Sequence, residues 1–157
     1  MRVKDIVIED FINYKKPSMF IICAKCDFKC DKENKQAVCQ NSHLAHLPTK
    51  TISNKYIIDK YINNKITQAI VFGGLEPFDT FADILELIKE IRAVTEDDIV
   101  IYTGYIEKEI TGYTTILSLY KNIIIKYGRF IPNNNPHCDS ILGINLSSDN
   151  QYAKYIS

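Results

Sequence analysis

Apolar and polar positions along the chain follow two alternating rhythms. Short runs rich in β-branched and aromatic residues recur at Ser18 to Cys23 (Ser-Met-Phe-Ile-Ile-Cys), Ile66 to Phe72 (Ile-Thr-Gln-Ala-Ile-Val-Phe), Asp98 to Thr103 (Asp-Ile-Val-Ile-Tyr-Thr) and Asn122 to Lys126 (Asn-Ile-Ile-Ile-Lys). Such runs are the signature of strands. Between them the spacing turns helical. From Thr80 to Val94, residues Phe81, Ile84, Leu85, Ile88 and Ile91 fall on one face, and Thr80 with Asp83 resembles a capping pair. A second helix is predicted from Ser53 to Asn63 with Ile57, Ile58, Tyr61 and Ile62 turned inward, and a third between Thr114 and Lys121. Strands alternating with helices predict an α/β fold with a parallel sheet and crossover helices. In such folds ligands sit beyond the carboxyl ends of the strands. The unusual residues gather there: cysteines after Cys23, Gly73-Gly74 after Phe72, and Gly104 after Thr103.

Length and composition narrow this picture. With 157 residues, 46% of them hydrophobic, the chain fits one domain spanning residues 1–157 around one core. It has no repeats and no linker-like stretch. Nineteen basic residues balance nineteen acidic ones, so no net field favours nucleic acid or an anionic membrane, and neither is expected as a partner. The N-terminus, Met1-Arg2-Val3-Lys4-Asp5, lacks the apolar core of a signal peptide, and the apolar runs are far below membrane-spanning length. A cytoplasmic location is therefore expected. Four of the five cysteines lie between Cys23 and Cys39, which in a reducing compartment reads as metal ligation or redox chemistry rather than disulfides.

The segment Cys23-Ala-Lys-Cys26-Asp-Phe-Lys-Cys30, followed by Cys39-Gln-Asn41-Ser-His43-Leu-Ala-His46, offers several ligand sets. Thiolate suits both zinc and iron-sulfur clusters. A zinc site would use Cys23, Cys26, Cys30 and Cys39, or recruit His43 or His46 in place of one cysteine. Structural zinc sites usually pair two knuckles of similar spacing, which a single Cys-x2-Cys followed by gaps of three and eight residues does not supply. A cluster on three cysteines differs in kind, because its fourth iron keeps an open position for a small molecule.

Further landmarks follow in order: Gly73-Gly74-Leu75-Glu76-Pro77-Phe78, Tyr102-Thr103-Gly104-Tyr105, Gly128-Arg129-Phe130 and Ser147-Ser148-Asp149-Asn150-Gln151. Together with Cys26-Asp-Phe-Lys-Cys30 and Cys39-Gln-Asn41, over roughly residues 18 to 152, they resemble short radical S-adenosylmethionine proteins, nearest the activating enzymes of anaerobic ribonucleotide reductase. The resemblance implies a partial, open parallel β/α barrel of the radical S-adenosylmethionine type. It implies a 4Fe-4S cluster on Cys26, Cys30 and Cys39, and S-adenosylmethionine held by Gly73, Gly74, Glu76, Thr103 and Asn150. Glu76 would meet the methionine ammonium, Thr103 the carboxylate or ribose, and Asn150 the nucleoside. The implied activity is reductive cleavage of S-adenosylmethionine to a 5'-deoxyadenosyl radical that activates a glycyl radical enzyme or another protein, fed by a low-potential electron donor. A radical enzyme acting on a small molecule, and a non-catalytic zinc- or cluster-binding module, are the alternatives.

The chain departs from the family pattern in places. The family spaces its cysteines by three and then two residues, whereas here the second gap is eight, and Asp31 to Gln36 are expected to form a surface loop. Leu75 intervenes between the glycines and Glu76, and Tyr127-Gly128 stands where relatives have Asp-Gly. Cys23, at the end of an apolar strand, reads as a small buried residue or an alternative ligand. Cys138 and His137, beside Pro132-Asn-Asn-Asn-Pro136, read as loop residues without a site.

Overall fold

The computed structural model describes residues 1–157. In chain order the chain forms β1 (Arg2–Asp10), β2 (Ser18–Cys23), α1 (Lys29–Asn34), β3 (Lys50–Thr51), α2 (Asn54–Asn63), β4 (Ala69–Gly73), α3 (Phe81–Arg92), β5 (Asp98–Tyr102), α4 (Thr111–Leu117), β6 (Ile123–Tyr127), β7 (His137–Asp139), β8 (Ile144–Leu146) and β9 (Tyr152–Tyr155). Seven strands make one sheet in the order β3-β1-β2-β4-β5-β6-β9, and β7 pairs with β8 in a separate ribbon. The central strands β2, β4, β5 and β6 are parallel, as the alternating pattern predicts. Both flanks are antiparallel, with β1 against β2, β3 against β1 and β9 against β6. The result is a mixed α/β sheet, parallel at its centre.

Parallel strands carry apolar residues on both faces because both faces are covered. On one side Ile21, Cys23, Ile70, Phe72, Ile99, Ile101, Ile123 and Ile125 pack beneath α2, α3 and α4. On the other, Val71, Val100 and Ile124 meet Tyr14 from the β1–β2 connection and Leu142 and Leu146 from the β7–β8 region. Tyr14 Oη donates to Asp98 at 2.9 Å, and Lys15 N donates to Leu142 O at 2.8 Å, which holds that second cover under the sheet. The register places Ile22 opposite Gly73 and Tyr102 opposite Lys126. One row of this second face therefore ends in Gly73, Tyr102 and Lys126 at the carboxyl edge.

Several boundaries shift for local reasons. β4 begins at Ala69 rather than Ile66, because Asn64 Oδ1 accepts from Ile66 N and Thr67 N in a turn. Asn122, at φ 55°, stays outside β6. The third helix starts at Thr111 instead of Thr114 and stops at Leu117. Thr80 and Asp83 do not form a capping pair: the Thr80 hydroxyl donates to Pro77 O, and Asp83 accepts from Arg2. In α2, Ser53 accepts from Tyr56 N as a true N-cap, but Ile62 faces solvent at 50% exposure. In α3 the inward face holds Ile84, Leu87, Ile88 and Ile91, so Leu87 takes the buried place assigned to Leu85.

The difference between the two leucines is measurable. Leu87→Ala should cost about 2–5 kcal/mol in urea unfolding, the range for emptying a closed leucine site, and Leu85→Ala markedly less.

Candidate functional site

A cavity of ≈ 650 Å³ opens at the carboxyl edge of the parallel strands. Cys26, Cys30 and Cys39 line it together with Gly74, Leu75, Glu76, Thr103, Gly104, Lys126 and Gln151. The three cysteines are half-buried, free thiols from three different local structures. Cys26 follows β2 in a turn held by Asp27 N, which donates to Asp79 Oδ2 at 2.7 Å, and by Phe28 N, which faces Cys26 Sγ at 3.3 Å. Phe28 adopts a left-handed conformation at φ 54°, a rare choice for a bulky residue, and it redirects the chain into α1, which carries Cys30. The residues expected as a surface loop are thus largely a helix.

Closure of the eight-residue gap rests on Asp31. Lys35 ends α1 in the left-handed region, and the chain returns until Val38 N and Cys39 N both donate to Asp31 Oδ1 at 2.8 Å. One carboxylate inside α1 thereby sets Cys39 beside Cys30. Burial and the neighbouring Cys39 push the Cys30 thiol up to about 12, and burial pushes Cys26 up to about 11. Both are protonated thiols at neutral pH in the metal-free chain, so a metal bound here would displace protons.

The glycine segment prepares the opposite wall. Gly74 sits at φ +75°, and a Cβ there would approach Ile22 Cγ2 to 2.9 Å, so only glycine fits. The extra Leu75 turns into the helix-side core at 4% exposure, which returns Glu76 to the cavity. Glu76 Oε1 accepts from Thr103 Oγ1 at 2.7 Å and Phe78 N at 3.1 Å, and Oε2 accepts from Gly104 N at 2.9 Å. Burial raises this carboxyl to about 7 against the lowering effect of those three donors. A buried carboxylate that gains a cationic partner would lose that penalty. The Thr103 hydroxyl is committed between Glu76 and Tyr105 N, from which it accepts at 2.9 Å.

Other sequence candidates stand apart from the lining. Gly73 lies just below it, where a Cβ would meet the Phe20 ring and Tyr102 at 3.1 Å. Asn150 Nδ2 donates to Arg129 O at 2.9 Å, with Oδ1 buried and unpartnered, while its neighbours Ser147 and Gln151 line the cavity. Cys23 is wholly buried in the helix-side core, its thiol pushed far up by burial. Cys138 is exposed in β7. Two lining residues, Arg129 and Lys126, were given no role at the site by the sequence. Arg129 pairs with Glu109 at 2.7 Å and reaches Glu33 of α1 at 3.2 Å, stacking 5.7 Å from the Tyr105 ring. Lys126, 7% exposed, donates to Gly128 O at 2.9 Å. A lysine ending an isoleucine run at a strand's carboxyl edge was the available signal for it.

A protein-family model described as a 4Fe-4S single cluster domain matches residues 17–151. Comparison with curated proteins and with solved structures gives no match. The donor set fits such a cluster: three free thiols converge on one cavity, with room beside them and no disulfide. No helix is long and apolar enough to cross a membrane.

The raised Glu76 carboxyl fixes a pH response. The stability it contributes is complete below about pH 4.5 and is lost as pH rises through about 7. The iron-free wild type should therefore lose about 3 kcal/mol across that window in chemical denaturation, relative to a Glu76→Gln variant. Carboxylates held low, such as Glu109 beside Arg129 at about 2, act below this window.

Proposed function

The chain belongs to the family of 4Fe-4S single cluster domains, and from that premise we propose that Cys26, Cys30 and Cys39 hold the cluster and that the adjoining cavity binds S-adenosylmethionine for reductive cleavage. The observation that carries this reading is the meeting of three thiols with a buried carboxylate in one cavity at the strand ends. Three protein ligands leave one iron open, and the cavity supplies space next to it. When bound, the cluster would deliver the electron that breaks the sulfonium carbon-sulfur bond, leaving methionine and a 5'-deoxyadenosyl radical. The barrel of this reading is the open, half-closed form, with β2, β4, β5 and β6 presenting their carboxyl ends to the ligand.

The chain's own residues bind and orient. Glu76, desolvated and preset by Thr103, Gly104 and Phe78, suits the methionine ammonium, whose charge holds the carboxyl ionised. Thr103 and Asn150 serve by positioning: the first fixes the Glu76 rotamer, and the second braces the Arg129 carbonyl at the cavity wall. Gly74 lets the backbone come close to the bound molecule, and Gly73 lets Phe20 and Tyr102 pack closely beside it. Asp31 holds the third thiol in place. Leu75, Leu44 and Phe20 line the cavity with apolar surface, which limits water around a reactive species. The target of the radical in this reading is a partner protein of the glycyl radical type, and a low-potential donor would supply the cluster with its electron.

Anaerobic purification should give about four irons and four sulfides per chain, and dithionite with S-adenosylmethionine should yield 5'-deoxyadenosine from wild type and none from Cys30→Ala. Stoichiometric zinc in a colourless protein, or no nucleoside from either chain, would refute the proposal. Asp31→Ala should weaken iron retention by about 10–100-fold, as loss of a ligand-supporting group does, whereas Asp31→Asn, which keeps the acceptor oxygen, should retain it.

A further inference from the structure

Lys126 is the one lysine of the central strands, and its surroundings do not account for its charge. It closes the Ile-Ile-Ile run of β6, a strand buried along its whole length. Its ammonium has a single hydrogen-bond partner, Gly128 O at 2.9 Å, although it carries three N–H donors. No carboxylate lies within ion-pair distance of it. Glu76 acts on it only through space, and the Tyr102 ring sits 5.9 Å from Nζ. An unpaired buried cation is costly and is retained where an anion meets it.

The cavity supplies the place. Its inner part, between the sheet and the β1–β2 connection, is walled by Phe20, Tyr102, Asn13 and Ile144. Tyr102 Oη donates to Asn13 O at 2.6 Å, which fixes the ring that flanks Lys126. Lys126, with two donors unused, thus lines a partly apolar cavity that has no acid of its own besides Glu76.

We propose that Lys126 forms a second subsite of the cavity, which takes the anionic group, carboxylate or phosphate, of a small molecule bound alongside S-adenosylmethionine. The subsite lies beyond the proposed cleavage reaction and does not depend on it. Its ligand class is a compact organic acid or phosphate ester whose apolar remainder meets Phe20 and Ile144. Burial lowers the Lys126 ammonium to about 8, so the group is mainly charged at neutral pH, and an incoming anion would hold the proton more firmly.

Malonate and inorganic phosphate serve as probes, titrated against the full chain at constant ionic strength with thermal denaturation as readout. Wild type should show a saturable rise in midpoint, Lys126→Arg should keep it, and Lys126→Met should weaken half-saturation by about tenfold or more. A shift of the Lys126 Nζ resonance on adding phosphate to wild type provides a reading that needs no variant. No saturable response in wild type, or an unchanged response in Lys126→Met, overturns the subsite. Loss of S-adenosylmethionine binding by the iron-loaded Lys126→Met chain also overturns it, because the lysine would then serve that molecule's own carboxylate. If wild type forms no 5'-deoxyadenosine while the Lys126-dependent anion response persists, the cleavage reading fails and the subsite stands.

Discussion

The Glu76 carboxylate joins the ends of β4 and β5 through Thr103 and Gly104 and starts the turn that leads into α3 through Phe78. Parallel strands diverge at their carboxyl ends, and something must fill or brace the gap. Here a charged group does so from within the core, at a desolvation cost that its three donors only partly offset. The wall of the cavity, the exit of β5 and the start of the α3 crossover all take their position from it. The same group is therefore structural in the empty cavity and available for recognition when a cation arrives.

The central strands were legible because isoleucine and valine crowd runs too short for helices, and Gly73-Gly74 and Thr103-Gly104 mark where those runs end. β1 was missed because only the two-residue β3 lies outside it and one of its faces is solvated: Lys4 and Asp5 precede Ile6 to Ile8, and only Val3, Lys4 and Asp10 are buried. β9 hides in a polar tail for the same reason, its Ala153 alone being buried. In α3 the inward Ile84, Ile88 and Ile91 were legible, but Leu85 was chosen over Leu87 because the two are equally apolar and only packing against the sheet decides between them. Lys126 escaped notice because charge at a strand end resembles a strand stop, whereas its burial is a property of the covering loop.

At the site, the residue types were readable and their mechanics were not. The cysteine spacing alone left open how an eight-residue gap could return a thiol to its partners. The answer is a carboxylate that accepts two backbone donors across that gap, a long-range pairing invisible to periodicity. Likewise Leu75 blurs the glycine-to-glutamate register in the sequence, yet its burial in the opposite core absorbs the extra residue and leaves Glu76 facing the cavity.

α1 buries no residue of its own. It is held by the Asp31 bonds, by the reach of Arg129 to Glu33 and by Lys29, which lies 4.2 Å from the Tyr105 ring, while the sheet beneath it is closed on both faces. α1 is therefore joined to the body of the molecule chiefly by polar contacts, while Cys26 and Phe28 at its entry pack against the core. A cluster held by Cys26, Cys30 and Cys39 would thus add a tie to the one helix that the apolar core does not grip.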